Sequence, residues 1–228
     1  MRWNEKYRPR NFSECVGSEK ILRQIEGLAT RRISQSLTGD LPHFLLHGMP
    51  GTGKTTTAYL IAQEITGGDL SSVTEINASS DRGIDVMKAT ILKAIRNMTL
   101  NGRPRVVIMD EADGLTKEAQ NVLRRPLETT ANTVFIFCLN EVKAIQDTLL
   151  SRCAVFHFQP VDLKSMTDRL RWILKEEGIT MAEREIVDIA TSAHGDLRTA
   201  INELQKVAAT GERQQEIDAL VSEAMAKT

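Results

Sequence analysis

The sequence predicts an α/β protein in which a five-stranded parallel sheet is followed by a small all-helical region. Short apolar runs alternate with amphipathic helical patterns over roughly the first 160 residues, which is typical of a doubly wound sheet. Several of these runs are apolar at successive positions, as expected for strands that are buried on both faces. After Pro160 only helical patterns follow. We therefore predict two domains, residues 1–160 and 161–228.

Each predicted element follows from its local pattern. Strands are predicted where short apolar runs are bounded by turn residues, at 43–48, 72–78, 105–110, 133–140 and 154–160. Helices are predicted between the strands, near 54–66, 84–98, 115–129 and 142–150. Beyond the sheet, helices are predicted at 162–178, at 180–195 with Thr180 as its N-cap, at 196–211 with Asp196 as its N-cap, and at 215–227.

The composition limits the class of protein. The chain has 228 residues, of which 41% are apolar and 26% charged, as in ordinary globular proteins. Its net charge of -1 means that any contact with nucleic acid must come from a local basic patch. The three cysteines show no zinc-binding spacing, which predicts a reducing compartment without a zinc site. A signal peptide and a membrane span are not expected.

A glycine-rich segment, GMPGTGKT at 48–55, follows the first predicted strand and opens a helix. This context and the pattern GxxxxGK[ST] predict a loop whose backbone N–H groups cradle a polyphosphate. We expect Lys54 to neutralise the terminal phosphates and the Thr55 hydroxyl to bind Mg²⁺. The predicted ATP-binding residues of the loop are Gly48, Met49, Pro50, Gly51, Thr52, Gly53, Lys54, Thr55 and Thr56.

A pair of carboxylates lies at the end of another predicted strand, in VVIMDEAD at 106–113. Ligands bind at the carboxyl ends of strands in open α/β sheets. We expect Asp110 to bind Mg²⁺ and Glu111 to orient and polarise the attacking water. The letters DEAD also name a class of RNA helicases, but the same two carboxylates serve other ATP-driven machines.

Three further polar residues are candidates for the same site. Asn140 ends the fourth predicted strand and either holds the attacking water or γ-phosphate or simply forms a turn. Arg198 lies in the first turn of a helix, where a cation opposes the helix dipole, so an anion nearby would explain it; a solvated surface arginine is the alternative. Arg152 precedes the last strand, and from the pattern alone a surface role is favoured.

A basic helical face is predicted between the second and third strands. It carries Arg82, Lys93 and Arg96, with Lys88 at its border. Such residues contact a phosphate backbone without distinguishing bases. From the pattern alone a solvated helix face is the default interpretation.

Several strings, in order along nearly the whole chain, carry a resemblance to a known family. They are WNEKYRPRNFSECVG, HGMPGTGKTT, INASSDRGID, VVIMDEAD, AQNVLRR, LLSRCAVFHFQPV and GDLRTAINELQ. The chain resembles the small subunit of replication factor C, the clamp loader of archaea and eukaryotes, within the AAA+ ATPases. The resemblance implies a five-stranded AAA+ core, residues 1–160, and a helical lid, residues 161–228.

The resemblance also implies roles for individual residues. Asn140 would be sensor 1, Arg198 sensor 2, and Arg152 an arginine finger that acts on the neighbouring subunit's nucleotide. Tyr7, Arg8, Pro9 and Val16 would lie near the adenine. Arg82, Lys88, Lys93 and Arg96 would then face primer-template DNA.

The chain departs from the family pattern at three places. Ser80 replaces an acid, and Pro126 lies inside an expected helix, which it could kink or end. The family has a third, all-helical collar domain that holds the subunits in a ring, and the given sequence stops at Thr228, after the lid, so we do not expect these 228 residues to oligomerise by themselves.

The function predicted from these observations is that of an ATP-dependent clamp-loader subunit with Mg²⁺ and ATP. Its expected partners are other small and large clamp-loader subunits in a hetero-oligomeric ring, pentameric at full length, together with a sliding clamp and primer-template DNA. The expected location is the cytoplasm (nucleoid) of an archaeon or the nucleus of a eukaryote. Alternatives are another AAA+ DNA motor, either bacterial clamp-loader-like or branch-migrating, and a nucleotide-binding scaffold that scarcely hydrolyses ATP.

Overall fold

A computed structural model of the chain describes residues 1–34, 42–78, 89–92, 103–129 and 132–226. This part of the chain contains five strands, β1 (His43–Gly48), β2 (Val73–Asn77), β3 (Arg105–Asp110), β4 (Thr133–Leu139) and β5 (Cys153–Phe158). They form one parallel sheet in the order β2-β3-β4-β1-β5. The predicted five-stranded α/β fold is confirmed.

Helices connect and cover the strands of the sheet. The α-helices of this part are Glu19–Ser34, Lys54–Thr66, Lys117–Thr129 and Asp147–Leu150, with short 3₁₀ turns at Phe12–Glu14, Leu70–Ser72, Ala112–Gly114 and Val142–Ala144. Residues 89–92 are also helical; the rest of the helix predicted near 84–98 lies outside the described residues. The prediction of one helix over 142–150 was wrong, because a 3₁₀ turn and a short α-helix lie there.

Two apolar layers hold the sheet between its helices. Alternate residues of the central strands point to opposite faces, so that Ile136 joins one layer and Phe137 the other. All seven residues of β4 are buried, which explains why its sequence is apolar at every position and does not alternate. This burial fixes the carboxyl ends of the strands, where the polar residues follow.

Pro126 lies inside the helix Lys117–Thr129 and does not end it. Proline lacks the N–H that would bond to the carbonyl four residues earlier, but the helix continues for three residues beyond it. The carboxyl-terminal end of this helix therefore remains available to carry side chains such as Glu128.

The chain divides into two compact units, Pro9–Gln159 and a second that joins Met1–Arg8 to Pro160–Thr228. The second unit is all-helical: its helices are Trp3–Lys6, Leu163–Glu177, Glu183–Ser192 and Leu197–Ala226. Residues 1–8, which the sequence interpretation assigned to the core, thus cluster with the helical unit. The domain limits 1–160 and 161–228 themselves stay a prediction.

The helices of the second unit begin and end partly as expected. The Asp162 carboxylate accepts a hydrogen bond of 2.9 Å from the Ser165 N–H, and Gly178 ends that helix in the left-handed conformation at φ 70°. The predicted N-cap Thr180 was wrong, since the next helix is capped at Ala182. Instead of two helices at 196–211 and 215–227, one continuous helix spans Leu197–Ala226.

The N-terminal segment belongs to this helical unit through specific contacts. The Tyr7 hydroxyl donates to Glu177 at 2.7 Å, and the Lys6 ammonium donates to the same carboxylate at 2.8 Å. The hydrogen bond from Lys6 is the largest cause that lowers the pKa of Glu177. Arg169 donates to the Tyr7 carbonyl at 2.7 Å, and its guanidinium lies 4.2 Å from the ring of Trp172. These contacts explain why Met1–Arg8 does not cluster with the sheet.

Candidate active site at the carboxyl edge of the sheet

The predicted phosphate loop connects β1 to the helix Lys54–Thr66. Its glycines Gly48, Gly51 and Gly53 have φ values of 144°, 70° and 96°, which residues with a Cβ atom rarely adopt. Gly53 immediately precedes the first helical residue, so the loop ends at a helix N-terminus, where free backbone N–H groups attract anions. The backbone conformation is therefore that of a loop able to wrap around phosphate.

Gly48 is also required by close packing. A Cβ atom at Gly48 would lie 2.1 Å from the carbonyl oxygen of Phe158 on the neighbouring strand β5. At Gly53 a Cβ atom would meet no atom within 4 Å. Gly48 thus serves both the turn and the approach of two strands, whereas Gly53 serves the turn alone.

Lys54 lies at the centre of the loop and is only 8% exposed. Its ammonium donates to the carbonyls of Gly48 at 2.7 Å and Met49 at 2.8 Å, and to the Asn140 side-chain oxygen at 3.2 Å. A buried ammonium needs such oxygen partners, because its desolvation is otherwise costly. The cation is therefore fixed inside the loop, where it would meet a phosphate group.

Asp110 lies next to the loop at the end of β3. The Thr55 hydroxyl lies 3.2 Å from both Asp110 carboxylate oxygens, so the two predicted magnesium ligands are adjacent. Hard divalent cations such as Mg²⁺ prefer hydroxyl, carboxylate and phosphate oxygens. Among the described residues there is no group of three or more His, Cys, Asp or Glu side chains that could hold a metal ion alone. Thr55 and Asp110 therefore fit an ion that phosphate oxygens help to coordinate.

Glu111 has an unusual backbone conformation, with φ 51° and ψ 42°. Its N–H donates to the Asp110 carboxylate at 3.0 Å, which helps to hold this left-handed turn. Left-handed residues other than glycine are uncommon and cluster at functional sites. The turn leaves the Glu111 side chain exposed while Asp110 faces Thr55.

Asn140 follows β4 and has two polar partners in the site. Its side-chain oxygen accepts from Lys54, and its amide nitrogen donates to Asp113 at 3.4 Å. The two contacts together fix which end of the amide faces the phosphate loop. Asn140 thus lies at the edge of the sheet beside Lys54, and its role as a sensor stays a prediction.

A pair of histidines adjoins the loop. His47 immediately precedes Gly48, and its ring stacks on His157 of β5 with centroids 4.7 Å apart. Burial, then the charges of His157 and Lys54, lower the pKa of His47. These surroundings therefore disfavour the protonated form of His47 beside Lys54.

The other loop residues vary in exposure. Met49 and Pro50 are exposed, whereas Thr52 is buried and its hydroxyl donates to the Met49 carbonyl at 2.8 Å. Thr56 is half-buried in the first turn of the helix. The hydroxyl of Thr52 thus helps to hold the Met49 carbonyl, which also accepts from Lys54.

The proposed arginine finger, Arg152, lies just before β5, as expected. Its guanidinium donates to the Thr148 carbonyl and pairs with the Glu128 carboxylate.

Cys153, which follows Arg152, is half-buried, and burial raises the pKa of its thiol to about 12. Cys153 packs against the apolar layer that contains Leu149, where its protonated thiol serves as a small apolar side chain.

Other predicted site residues are not brought to the phosphate loop by any described contact. Arg198 is exposed in the first turn of its helix, two residues after Asp196, whose carboxylate caps the Thr199 N–H at 2.9 Å. Tyr7 and Arg8 belong to the helical unit, and Pro9 and Val16 to the sheet unit. Their adenine contacts stay predictions.

The residues predicted to contact DNA belong to the segment between β2 and β3. Arg82, Lys88, Lys93 and Arg96 lie outside the described residues, as does Ser80. Among described residues, Arg124 and Arg125 are exposed side chains on the helix Lys117–Thr129.

Sequence reasoning missed four residues that organise the site and its surroundings: Asp113, Gln120, Glu128 and Glu177. Asp113 orients Asn140, Glu128 pairs with Arg152, and Glu177 anchors Tyr7. Asp113 and Gln120 lie inside quoted strings, DEAD and AQNVLRR, but neither string shows which distant group they contact. The partners of Glu128 and Glu177 are 24 and 170 or more residues away, so no local pattern reveals them.

Gln120 joins three backbone segments under the site. Its side-chain nitrogen donates to the carbonyls of Leu115 at 3.1 Å and Ala144 at 2.8 Å. Its side-chain oxygen accepts from the Gln146 N–H at 2.8 Å. Because Gln120 is only 1% exposed, its own amide has little access to water, and these three bonds satisfy its polar atoms.

No helix in the described part of the chain is both long enough and apolar enough to span a membrane.

Comparison with known proteins identifies the sheet domain. Residues 44–161 match the family described as ATPase family associated with various cellular activities. Replication factor C small subunit 1 of Pyrobaculum aerophilum is 42% identical over 211 residues, covering 91% of this chain and 62% of that protein. Replication factor C subunit 2 of rice is 40% identical over 217 residues, covering 90% of this chain and 62% of that protein. The resemblance to replication factor C small subunits is thereby confirmed.

Solved structures show the same fold. A variant of RuvB from Thermotoga maritima has a TM-score of 0.72 and 21% identity, covering 88% of this chain and 65% of that chain. At this identity the likeness concerns the fold alone. The chain spans about three fifths of the length of the curated relatives it matches.

Proposed function

The chain belongs to the AAA family of ATPases, and from that premise we propose that it acts as an ATP-dependent subunit of a clamp loader of the replication factor C type. The observation that carries the ATPase part is the convergence of Lys54, Asn140, Thr55 and Asp110 at one edge of the sheet. The clamp-loader part is supported by about 40% identity to replication factor C small subunits over nine tenths of the chain.

The proposed chemistry is positioning and charge stabilisation of a triphosphate. Backbone N–H groups of the loop and the Lys54 ammonium bind the phosphates. Thr55 and Asp110 hold Mg²⁺, which supplies further charge neutralisation when bound. Glu111 orients and polarises the attacking water, and Asn140, held by Lys54 and Asp113, contacts the water or the γ-phosphate.

The remaining roles rest on the resemblance. Arg198 serves as sensor 2, Arg152 acts on the nucleotide of a neighbouring subunit, and Tyr7, Arg8, Pro9 and Val16 contact the adenine. Arg82, Lys88, Lys93 and Arg96 contact primer-template DNA. At full length the partners are small and large clamp-loader subunits in a pentameric ring, and a sliding clamp, in the nucleoid of an archaeon or the nucleus of a eukaryote.

The phosphate-loop assignment is tested by Lys54→Ala. We expect this variant to lose ATP binding, measured by isothermal titration calorimetry, while Lys117→Ala, at an exposed position away from the loop, retains it. Circular dichroism of both variants checks that the fold is intact. Tight ATP binding by a folded Lys54→Ala protein would contradict the assignment.

Clamp loading is tested by the ATPase rate of the full-length assembly with and without primed DNA and sliding clamp. We expect both additions together to stimulate turnover, and Arg152→Ala mixed with wild type to slow neighbouring sites. An assembly that binds no sliding clamp would favour a branch-migration motor. Turnover below that of Glu111→Gln would favour the scaffold alternative.

A further inference from the structure

The guanidinium of Arg152 is held by its own chain at both of its terminal nitrogens. Nη1 donates to the Thr148 carbonyl and lies 3.3 Å from the Ser151 hydroxyl. Nη2 forms an ion pair with the Glu128 carboxylate, at the end of the helix Lys117–Thr129. The two partners of Nη1, Ser151 and Thr148, are one and four residues before Arg152, whereas Glu128 belongs to a different helix.

Glu128 changes what Arg152 offers to an anion. A guanidinium recognises phosphate through its positive charge and its pairs of parallel N–H donors. The Glu128 carboxylate occupies one of the Nη2 donors and offsets the positive charge of the Arg152 guanidinium. A triphosphate that approaches the paired arginine meets a carboxylate as well as a guanidinium, so that its attraction is reduced.

We propose that Glu128 is an autoinhibitory partner of Arg152, which withholds the arginine from a neighbouring subunit's nucleotide until the triphosphate displaces the carboxylate. The inference deepens the proposed function and rests on its assignment of Arg152 as an arginine that acts in trans. The contacts at Nη1 keep the side chain aimed in one direction, while the contact at Nη2 is the one that opens.

The exposure of the pair makes this exchange possible. The Glu128 side chain is 46% exposed and that of Arg152 is 30% exposed. Ion pairs with this much access to water are weak and are weakened further by salt. A triphosphate carries several negative charges against one on Glu128, so it competes successfully once it is positioned. The carboxylate therefore restrains Arg152 in the free subunit without preventing its use in an assembled one.

The first test measures how accessible Arg152 is in the full-length subunit before assembly. Glu128→Gln keeps the size of the side chain and removes its charge; Glu118→Gln makes the same change at an exposed position of the same helix. Modification of Arg152 by phenylglyoxal is followed by peptide mass spectrometry. We expect Glu128→Gln to accelerate it roughly 2- to 5-fold, the range for loss of an exposed ion pair, and Glu118→Gln to leave it unchanged. An unchanged or slower rate in Glu128→Gln overturns the proposal.

The second test uses steady-state ATPase of the full assembly at increasing salt. We expect Glu128→Gln to raise turnover at low salt, the gain to shrink as salt screens the wild-type pair, and Arg152→Ala to abolish the gain. If Glu128→Gln instead lowers turnover as Arg152→Ala does, Glu128 supports the arginine rather than restraining it, and the proposal is wrong. If Arg152→Ala leaves turnover unchanged, the trans role in the proposed function fails, while the modification rates still decide whether Glu128 restrains Arg152.

Discussion

Replacement of Gly48 by alanine tests how tightly the phosphate loop is built into the sheet. The added methyl would lie 2.1 Å from the Phe158 carbonyl oxygen, and the residue would have to keep a φ of 144°. Overpacking of this kind costs about 1–3 kcal/mol, and a forbidden backbone conformation costs about as much. Alanine has less conformational freedom than glycine in the unfolded chain, and this offsets roughly 0.4–1 kcal/mol of the lost stability. We therefore expect Gly48→Ala to lower the free energy of unfolding by about 2–5 kcal/mol.

Gly53→Ala is the matched control, because its φ of 96° is also positive but its methyl meets nothing within 4 Å. Gly53→Ala should cost about 1 kcal/mol of unfolding free energy. This is the cost of a left-handed conformation for alanine, reduced by the smaller conformational freedom of alanine in the unfolded chain. The assay is urea unfolding followed by circular dichroism, with midpoints compared. At an m value of about 2 kcal/mol per molar urea, Gly48→Ala should fall below the control by roughly 0.5–2 M. Equal midpoints for the two variants would refute the close-approach argument.

Two further variants test buried polar groups near the site. Gln120→Leu should lower the free energy of unfolding by about 1–3 kcal/mol, since it leaves one buried and two partly buried backbone groups without their partner; a loss below about 1 kcal/mol in urea unfolding would contradict this. His47→Gln should flatten the fall in stability below pH 6.5. Burial and the nearby charges lower the pKa of His47 from its ordinary 6.5, so the unfolded chain binds more protons below that pH and wild-type stability decreases as pH falls. Thermal unfolding of both proteins between pH 5 and 7.5 measures this, and identical pH profiles would show that His47 is not the cause.

The sheet was predictable because its signals are local. β1 and β3 have the predicted bounds, since apolar runs end where Gly48 and Asp110 leave the sheet. Parallel strands place their carboxyl ends at one edge, and the pairing of β4 with β1 brings Asn140 to the phosphate loop. The contact between Asn140 and Lys54 at 3.2 Å follows from topology rather than from any feature of the sequence around Asn140.

The helical unit was less predictable because its contacts are long-range. Gly211 was interpreted as a helix end, but the helix Leu197–Ala226 passes through it. A glycine inside a helix costs about 1 kcal/mol, which a long helix readily tolerates. Similarly, Lys6 and Tyr7 show no local sign that they bind Glu177, and only the folded chain brings these groups together.

Lys54 links the fold and the proposed chemistry more closely than the motif suggests. In the pattern GxxxxGK[ST] the lysine is understood as a ligand of phosphate, but here its buried ammonium also joins the end of β1 to the end of β4 through Gly48 and Asn140. A buried ammonium needs oxygen acceptors around it. The protein oxygens, the oxygens of a bound phosphate, or both together can supply these acceptors to Lys54. A phosphate oxygen that binds the Lys54 ammonium would then lie beside the Asn140 side chain, which already accepts a hydrogen bond from Lys54. Asp113 binds the other end of the Asn140 amide, so a chain of contacts joins the ammonium to the segment that follows Asp110 and Glu111. Loss of Lys54 therefore removes a structural link as well as a charge, which is why folding has to be measured alongside ATP binding in Lys54→Ala.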